Sequence, residues 1–369
     1  MLRIVYAFSI ISGTIIGAGL FALPYLTLKT NPWVMTAYFV VLGAVVIAVH
    51  YFYAVAARKT PDFMRLPGFV KYHLGKTGYK IALVSGILGL MGANLVYLIL
   101  GGRFLFSAVS PIFGFGEMFY TLIYFATGAI LIFFGIKAID KVQLIGLLLF
   151  LFTLAAIFIK GREDIDFSGL VFESNPSYFL LPYGVVLFSL WGLSLIPEAE
   201  EVLGNKAHLL KKIIPFAIVV PILLYAFFTF LILGLSGTQT SPDALSGLSD
   251  SLDNGVIILA LIFALLTTFT SFITLGLTLK KTLWFDLGLN KHLSWAITCF
   301  VPLSLYFIGL KDFVQVVSFV GGTMLVVDGI LVSLIYRKIS PPRVRSVVYP
   351  VIFALALAFV YQIMDFFIW

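Results

Sequence analysis

The sequence predicts an all-α polytopic membrane protein in which ten spans form two units of five, inserted in opposite directions. Three observations predict this class. The chain is 61% hydrophobic and 11% charged, with a mean hydropathy of +1.09. Long apolar runs follow one another along it, and glycine-rich interruptions fall in the first and the sixth run. A water-soluble fold of this composition would expose very large apolar patches.

Each apolar run of about 20 residues is read as one span. Eleven runs can be drawn, at 6–28, 32–56, 81–106, 118–135, 142–159, 178–196, 213–235, 255–279, 293–310, 313–335 and 347–368. We therefore expect a single transmembrane domain over residues 1–369, with a first unit at about 6–159, a second at about 178–335 and an extra helix at about 347–368. A cleaved signal peptide is disfavoured for the first run, since it is too long and a second span follows at once.

Basic residues fall mainly on one side of the membrane. If the N-terminus is cytoplasmic, most of the 24 Lys and Arg residues lie in inner segments, whereas the outer segments hold only Lys29, Lys160, Arg162 and Lys311. This asymmetry predicts an inner N-terminus and an outer C-terminal Trp369. It also explains the net charge of +7 without a nucleic-acid partner. The single cysteine, Cys299, excludes disulfides and cysteine metal sites as organising features.

The two interruptions predict broken helices. The first span contains Gly13, Gly17 and Gly19, followed by Pro24, and the sixth carries Gly192 among serines and a tryptophan. An unpaired backbone group in hydrocarbon costs several kcal/mol, so an opened helix needs a polar solute or ion for its amides and carbonyls. Discontinuous helices at corresponding places in two oppositely directed units are typical of a binding site near the midplane.

These segments also carry a family resemblance. Residues 13–24 (GTIIGAGLFALP) resemble the first-helix signature of the amino acid-polyamine-organocation transporter superfamily, nearest to the hydroxy and aromatic amino acid permeases, with the amino acid/auxin permeases close behind. Residues 270–277 and 283–286 resemble the eighth helix of those permeases and the short turn after it, and residues 72–78 resemble their basic loop between helices two and three. The likeness covers essentially the whole chain. It implies a 5+5 inverted-repeat transporter fold with broken helices 1 and 6, in a bacterial or archaeal plasma membrane.

The resemblance implies a substrate site at the two breaks. Amides freed around 16–20 would bind a carboxylate, carbonyls near 188–191 would accept an ammonium group, and Trp191 would shape or gate the side-chain pocket. The residues predicted to bind substrate are Thr14, Ile16, Gly17, Ala18, Gly19, Asn94, Tyr97, Phe188, Ser189, Trp191 and Gly192. The alternative is structural, because Gly13 and Gly17 have the spacing used for close helix packing and Gly192 suits a simple kink.

Two coupling ions stay open. Thr270 and Ser271 occupy positions where the resemblance would place a sodium site completed by first-span carbonyls, since hard cations take oxygen ligands. Such hydroxyls also serve packing by bonding to their own helix. The candidates for proton coupling are Asp328, Glu198 and His50, because ionisable residues inside a membrane are functional suspects by default. The lysine that some proton-coupled relatives carry in helix five is missing from 142–159.

Together these features predict a secondary active transporter that imports a small amino acid with Na⁺ or H⁺ by alternating access, and that makes or breaks no bond. No other cofactor is expected, and the predicted partners are the amino acid and the lipid bilayer, with the oligomeric state open. An amino acid-sensing receptor of the same fold, like some spore germinant receptor subunits, is the alternative. An enzyme would need clustered acids, histidines or nucleophiles facing one cavity, and the spans offer only scattered ones.

Overall fold

A computed structural model describes residues 2–60, 64–135, 139–172, 178–248 and 254–368, and these residues form helices and turns with no strand. The C-terminal Trp369 lies outside the described residues. The α-helices in chain order are α1 (Leu2–Ile15), α2 (Leu23–Thr30), α3 (Pro32–Arg58), α4 (Leu66–Phe113), α5 (Glu117–Phe134), α6 (Ile139–Gly161), α7 (Leu181–Ser189), α8 (Ile196–Leu203), α9 (Leu210–Ser236), α10 (Asn254–Lys281), α11 (Lys291–Ile308), α12 (Phe313–Val320), α13 (Val326–Ile339) and α14 (Val348–Ile368).

The predicted apolar runs coincide with these helices. Within the described ranges, seven helical segments are long and apolar enough to cross a membrane, and the bent pair formed by α1 and α2 raises that number to up to eight. The sixth and seventh predicted runs lie together in one of these segments, Leu181–Gln239, and the fifth and ninth runs fall on α6 and α11, which are not among the seven. The predicted all-α class with broken first and sixth spans is confirmed, while the total of eleven crossings stays a prediction.

Local sequence signals explain where the helices begin. Proline stands in the first turn of several helices, where its missing N–H would have no partner anyway. These prolines are Pro24, Pro32, Pro67, Pro182 and Pro197. The side chains of Asn31, Asn290 and Asp312 accept backbone N–H groups at the starts of α3, α11 and α12. Such caps satisfy amides that have no partner within the helix.

The segment at 72–78, expected to be a loop, is helical on both sides of a kink. Gly75 has φ +83° and interrupts α4, so a short helix precedes the long third span. A positive φ is accessible to glycine without steric cost. The Lys338 ammonium donates to the His73 carbonyl at 2.6 Å and so caps the short helix just before the kink.

The helices pack in two groups. The first, second, sixth and seventh spans (α1, α2, α3, α7, α8 and α9) pack on one another, and α4, α5, α10 and α11 form the second group. The interrupted tenth span lies between them, because α12 and α13 contact both α4 and members of the first group. The two broken spans therefore belong to the first packing group, and the second packing group faces them through α4.

Candidate functional site

The first span breaks where its glycines predict. The last turn of α1 closes with the Ile16 amide donating to the Ser12 carbonyl at 3.0 Å. Gly17 is extended, a 3₁₀ turn follows at Ala18–Ala22, and the two helical parts are bent by 45°. Thr14 lies before the break, inside α1, and its hydroxyl donates to the Ile10 carbonyl at 2.7 Å. Residues 16–19 are all buried, so this opened backbone lies inside the protein.

The sixth span breaks in the same manner. The helix α7 ends at Ser189, residues 190–192 are not helical, and α8 begins at Ile196 after a short 3₁₀ turn. Phe188 and Ser189 form the last turn of α7, and the Ser189 hydroxyl donates to the Val185 carbonyl at 2.7 Å. The predicted position of this break at Gly192 is correct to within a few residues.

The two breaks touch each other through glycine. A Cβ atom on Gly19 would lie 2.2 Å from Ser189 Oγ and 2.8 Å from Ser189 Cα, and one on Gly192 would lie 3.0 Å from Ile15 Cγ1. A methyl group at Gly19 would therefore collide with main-chain atoms of the other break. This close approach is compatible with the structural alternative for Gly19, in which a glycine permits close packing. The segments that approach each other here are the breaks of the first and sixth spans, not two uninterrupted helices.

Tyr97, on α4, reaches the first break. Its hydroxyl oxygen accepts the Ala18 amide at a long 3.5 Å, and it lies 2.6 Å from where a Gly17 Cβ would stand. Ser271, on α10, lies near the same hydroxyl. The structure thus brings one of the two predicted substrate residues of the third span near one predicted residue of the eighth span.

Asn94 lies one turn from Tyr97 on α4 and is fully buried, with 0% of its surface exposed. Among the described residues, neither its Oδ1 nor its Nδ2 has a hydrogen-bond partner. A buried amide without partners costs roughly 1–3 kcal/mol. Buried polar groups are nearly always satisfied, so this carboxamide is suited to a ligand that donates one hydrogen bond and accepts another.

Thr270 and Ser271 do not share one environment. The Thr270 hydroxyl donates to carbonyls of its own helix, those of Leu266 at 2.9 Å and Thr267 at 3.1 Å. The helix α10 packs mainly along α4, and also against α5, α6 and α11. The Thr270 contacts are those expected for packing in lipid, whereas Ser271 faces the hydroxyl at the first break.

His50, on α3, caps the sixth-span break. Its Nδ1 lies 2.8 Å from the Val46 carbonyl, which requires the proton on Nδ1, and its Nε2 accepts the Gly192 amide at 3.1 Å. The His50 ring is fully buried and packs edge-on against Trp191, with 5.8 Å between ring centroids. On its far side the Trp191 ring approaches Gly329 of α13, 3.1 Å from where a Cβ would stand. Trp191 is therefore wedged between the second and tenth spans.

The two candidate acids lie on the same side of the break as His50. The Asp328 carboxylate, on α13, accepts the Ser85 hydroxyl at 2.6 Å and is 9% exposed. Glu198 stands in the first turn of α8, where the helix dipole favours a negative charge. Of the three candidates for proton coupling, His50 is hydrogen-bonded to the sixth-span break, Glu198 lies on the helix that follows this break, and Asp328 is bonded to Ser85 of α4.

Sequence reasoning missed two features of the site. Tyr225, on α9, donates its hydroxyl to the carbonyls of Ile15 at 2.6 Å and Ser189 at 3.0 Å. Tyrosine is frequent in this chain, with 17 copies, so no sequence signal distinguished this one.

The second feature is a π-helical turn, Gly321–Leu325, in the tenth span. A Cβ on Gly184 would lie 2.0 Å from the Ser318 carbonyl oxygen, and one on Gly321 would lie 1.9 Å from the Gly184 carbonyl oxygen. The backbones of α7 and the tenth span are thus in direct contact. The Gly321-Gly322 pair is the sequence feature that indicates an irregular turn here. Helical turns of the π type often lie at functional sites.

Comparison with known proteins agrees with this architecture. The model of the tryptophan/tyrosine permease family matches residues 2–368. No curated protein sequence matches the chain. Similar solved structures include a manganese transporter of Eremococcus coleocola, studied as a single-site mutant, with TM-score 0.68 and 12% identity over 99% of this chain and 88% of that one.

Two further solved structures are similar. MhsT in complex with L-phenylalanine has TM-score 0.68 and 15% identity over 98% of both chains. Mhp1, a nucleobase-cation-symport-1 family transporter in a closed conformation with bromovinylhydantoin bound, has TM-score 0.64 and 14% identity over 89% of this chain and 76% of that one. At these identities the likeness concerns the fold, which is the 5+5 inverted repeat of transporters with broken first and sixth helices.

Proposed function

Because the chain belongs to the tryptophan/tyrosine permease family of membrane transporters, we propose that it imports an aromatic amino acid by cation symport with alternating access. The family description and the neighbour solved with L-phenylalanine support an aromatic substrate. This substrate class differs from the small amino acid predicted from the sequence, because tryptophan and tyrosine have large side chains.

The observation that carries the proposal is the meeting of two opened helices at Gly19 and Ser189. The 3₁₀ turn that starts at Ala18 presents amides, whereas α1 and α7 end there in carbonyls. Helix N-termini attract anions and C-termini attract cations. A zwitterion would place its carboxylate at the amides of 17–19, beside the Tyr97 hydroxyl, and its ammonium group at the carbonyls of 188–191.

Asn94 supports a polar group on the substrate in addition to the zwitterion. Its carboxamide has an acceptor and two donor hydrogens, and its partners are missing among the described residues. The indole N–H of tryptophan and the hydroxyl of tyrosine would each satisfy it in part. Phenylalanine would leave it unsatisfied, and sites built around a polar group discriminate strongly against analogues that lack it.

The packing supports a site that is closed at one end. The backbone contact of α7 with the tenth span closes the end from which α7 begins. With the N-terminus in the cytoplasm, as the distribution of Lys and Arg predicts, the closed end faces outward.

We take the proton as the coupling ion. His50 is hydrogen-bonded to the sixth-span break, and Glu198 lies in the first turn of the helix that follows it. The Thr270 hydroxyl, in contrast, is bonded to its own helix. A proton on His50 would remove the acceptor of the Gly192 amide and so act on the break itself.

The test is uptake of radiolabelled tryptophan, tyrosine and phenylalanine into proteoliposomes. We expect accumulation that requires an inward proton gradient and is collapsed by a protonophore, with phenylalanine the poorest substrate. Accumulation that follows a sodium gradient instead would assign the Thr270 and Ser271 region to coupling. Binding without accumulation would contradict transport and favour the sensing receptor.

A further inference from the structure

Tyr225 connects the two breaks through one hydroxyl group. It lies on α9, with 0% of its surface exposed. Its hydroxyl oxygen is 2.6 Å from the carbonyl oxygen of Ile15, the last residue of α1, and 3.0 Å from that of Ser189, the last residue of α7.

This arrangement has a simple electrostatic reason. The last carbonyls of a helix have no partner within it and carry partial negative charge. Two such ends converge here in an environment without bulk water, where they would repel each other unless a donor stood between them. A phenol has one hydrogen, which the two carbonyls share. It is a neutral group, so it needs no counter-charge.

We propose that Tyr225 is a positioning residue that ties the first-span and sixth-span breaks into one substrate site and makes them move together. The helix α9 packs along α1 and α3 within the first packing group. The Tyr225 hydroxyl is therefore held by the same group of helices that contains both breaks. The expected effect of Tyr225 on substrate binding rests on the proposed function. The expected effect of Tyr225 on the two breaks does not depend on that function.

The variant Tyr225→Phe keeps the ring and removes the hydroxyl. The matched control is Tyr183→Phe, because Tyr183 is also buried and donates to a main-chain carbonyl, that of Ala354 at 2.7 Å, away from both breaks. Amide hydrogen exchange is measured on the ligand-free purified protein. We expect roughly tenfold faster exchange at residues 15–18 and 189–192 in Tyr225→Phe, and wild-type rates there in Tyr183→Phe. Unchanged exchange, or faster exchange at only one break, would overturn the proposal.

A second pair of variants covers the possibility that the phenylalanine variant does not fold. Replacing Tyr225 by p-aminophenylalanine supplies two N–H donors, one for each carbonyl, whereas p-methylphenylalanine has a similar shape and no donor. The amino variant should keep slow exchange at both breaks, and the methyl variant should lose it. Equal protection in the two would overturn the proposal.

Binding of tryptophan and tyrosine gives the functional readout. We expect the Kd to rise about tenfold or more in Tyr225→Phe and to stay within about threefold of wild type in Tyr183→Phe and in the p-amino variant. If wild type binds neither amino acid, the proposed function fails while the exchange result still decides the role of Tyr225. A Kd that Tyr225→Phe leaves unchanged would refute the positioning of the substrate site.

Discussion

Gly19→Ala tests whether the contact between the two breaks is the substrate site. The added Cβ would lie 2.2 Å from Ser189 Oγ, 2.8 Å from Ser189 Cα and 2.9 Å from Ser189 Cβ. The hydroxyl could rotate away, but Cα is main chain and cannot. Two apolar atoms at rest stand about 3.5–4.0 Å apart, so the breaks would have to separate by about 1 Å.

The expected size of the effect follows from this displacement. Overpacking a close contact costs typically 1–3 kcal/mol. If the whole cost falls on the bound state, in which both breaks hold one ligand, the Kd for tryptophan rises about 5- to 150-fold. A shift of about 1 Å at positioning groups also slows turnover, by up to about 100-fold.

The assay is equilibrium binding of tryptophan to the purified variant, with uptake measured in parallel. Gly86→Ala is the matched control, because Gly86 lies inside the helix α4 and a Cβ there would meet nothing within 4 Å. The double variant Gly19→Ala with Ser189→Gly should recover part of the loss, since it removes two of the three clashing atoms. A Gly19→Ala protein that binds like wild type would refute the reasoning, because the close approach would then not shape the site.

Four further outcomes test the neighbouring contacts. His50→Phe leaves the amide at the sixth-span break without its acceptor, and we expect a loss of roughly 1–3 kcal/mol in stability together with lost uptake; thermal unfolding and uptake measure the two. Asp328→Asn should abolish accumulation driven by a proton gradient and preserve exchange of substrate across the membrane, which counterflow measures. Thr270→Ala should leave the effect of sodium on thermal stability unchanged, and loss of a sodium-dependent shift would instead support a sodium site. Lys280→Met removes the ammonium that donates to two carbonyls at the end of α5, both at 2.8 Å; a lower unfolding temperature with an unchanged Kd is expected.

The sequence predicted the helical class and both breaks because these depend on local properties. Apolar runs determine which segments lie in lipid, and glycine with proline determines where a helix opens. The breaks at Gly17 and Gly192 can therefore be predicted from the sequence without a structure. The short helix before Gly75 was mistaken for a loop, since its basic residues suited an inner segment equally well.

The partners of the breaks could not be predicted in the same way. Tyr225 lies 210 residues from Ile15 along the chain, and His50 lies 142 residues from Gly192. A tyrosine in an apolar span is equally suited to packing, and only the three-dimensional arrangement shows which hydroxyl meets a helix end. The sequence predicts Asn94 as a substrate-binding residue, and this role stays a prediction; the lack of a hydrogen-bond partner for its amide among the described residues is visible only in the structure.

Close packing and substrate binding are two explanations for the glycines, and at Gly19 the geometry is compatible with both. Gly19 has no Cβ, so Ser189 can approach until the carbonyl at the end of α7 and the carbonyl at the end of α1 share the Tyr225 hydroxyl. With a larger residue the two helix ends would stand apart, and no single zwitterion could reach the amides of one break and the carbonyls of the other. If this contact is the proposed substrate site, close packing at this point is a condition for binding, and Gly19→Ala should therefore lower the affinity for tryptophan.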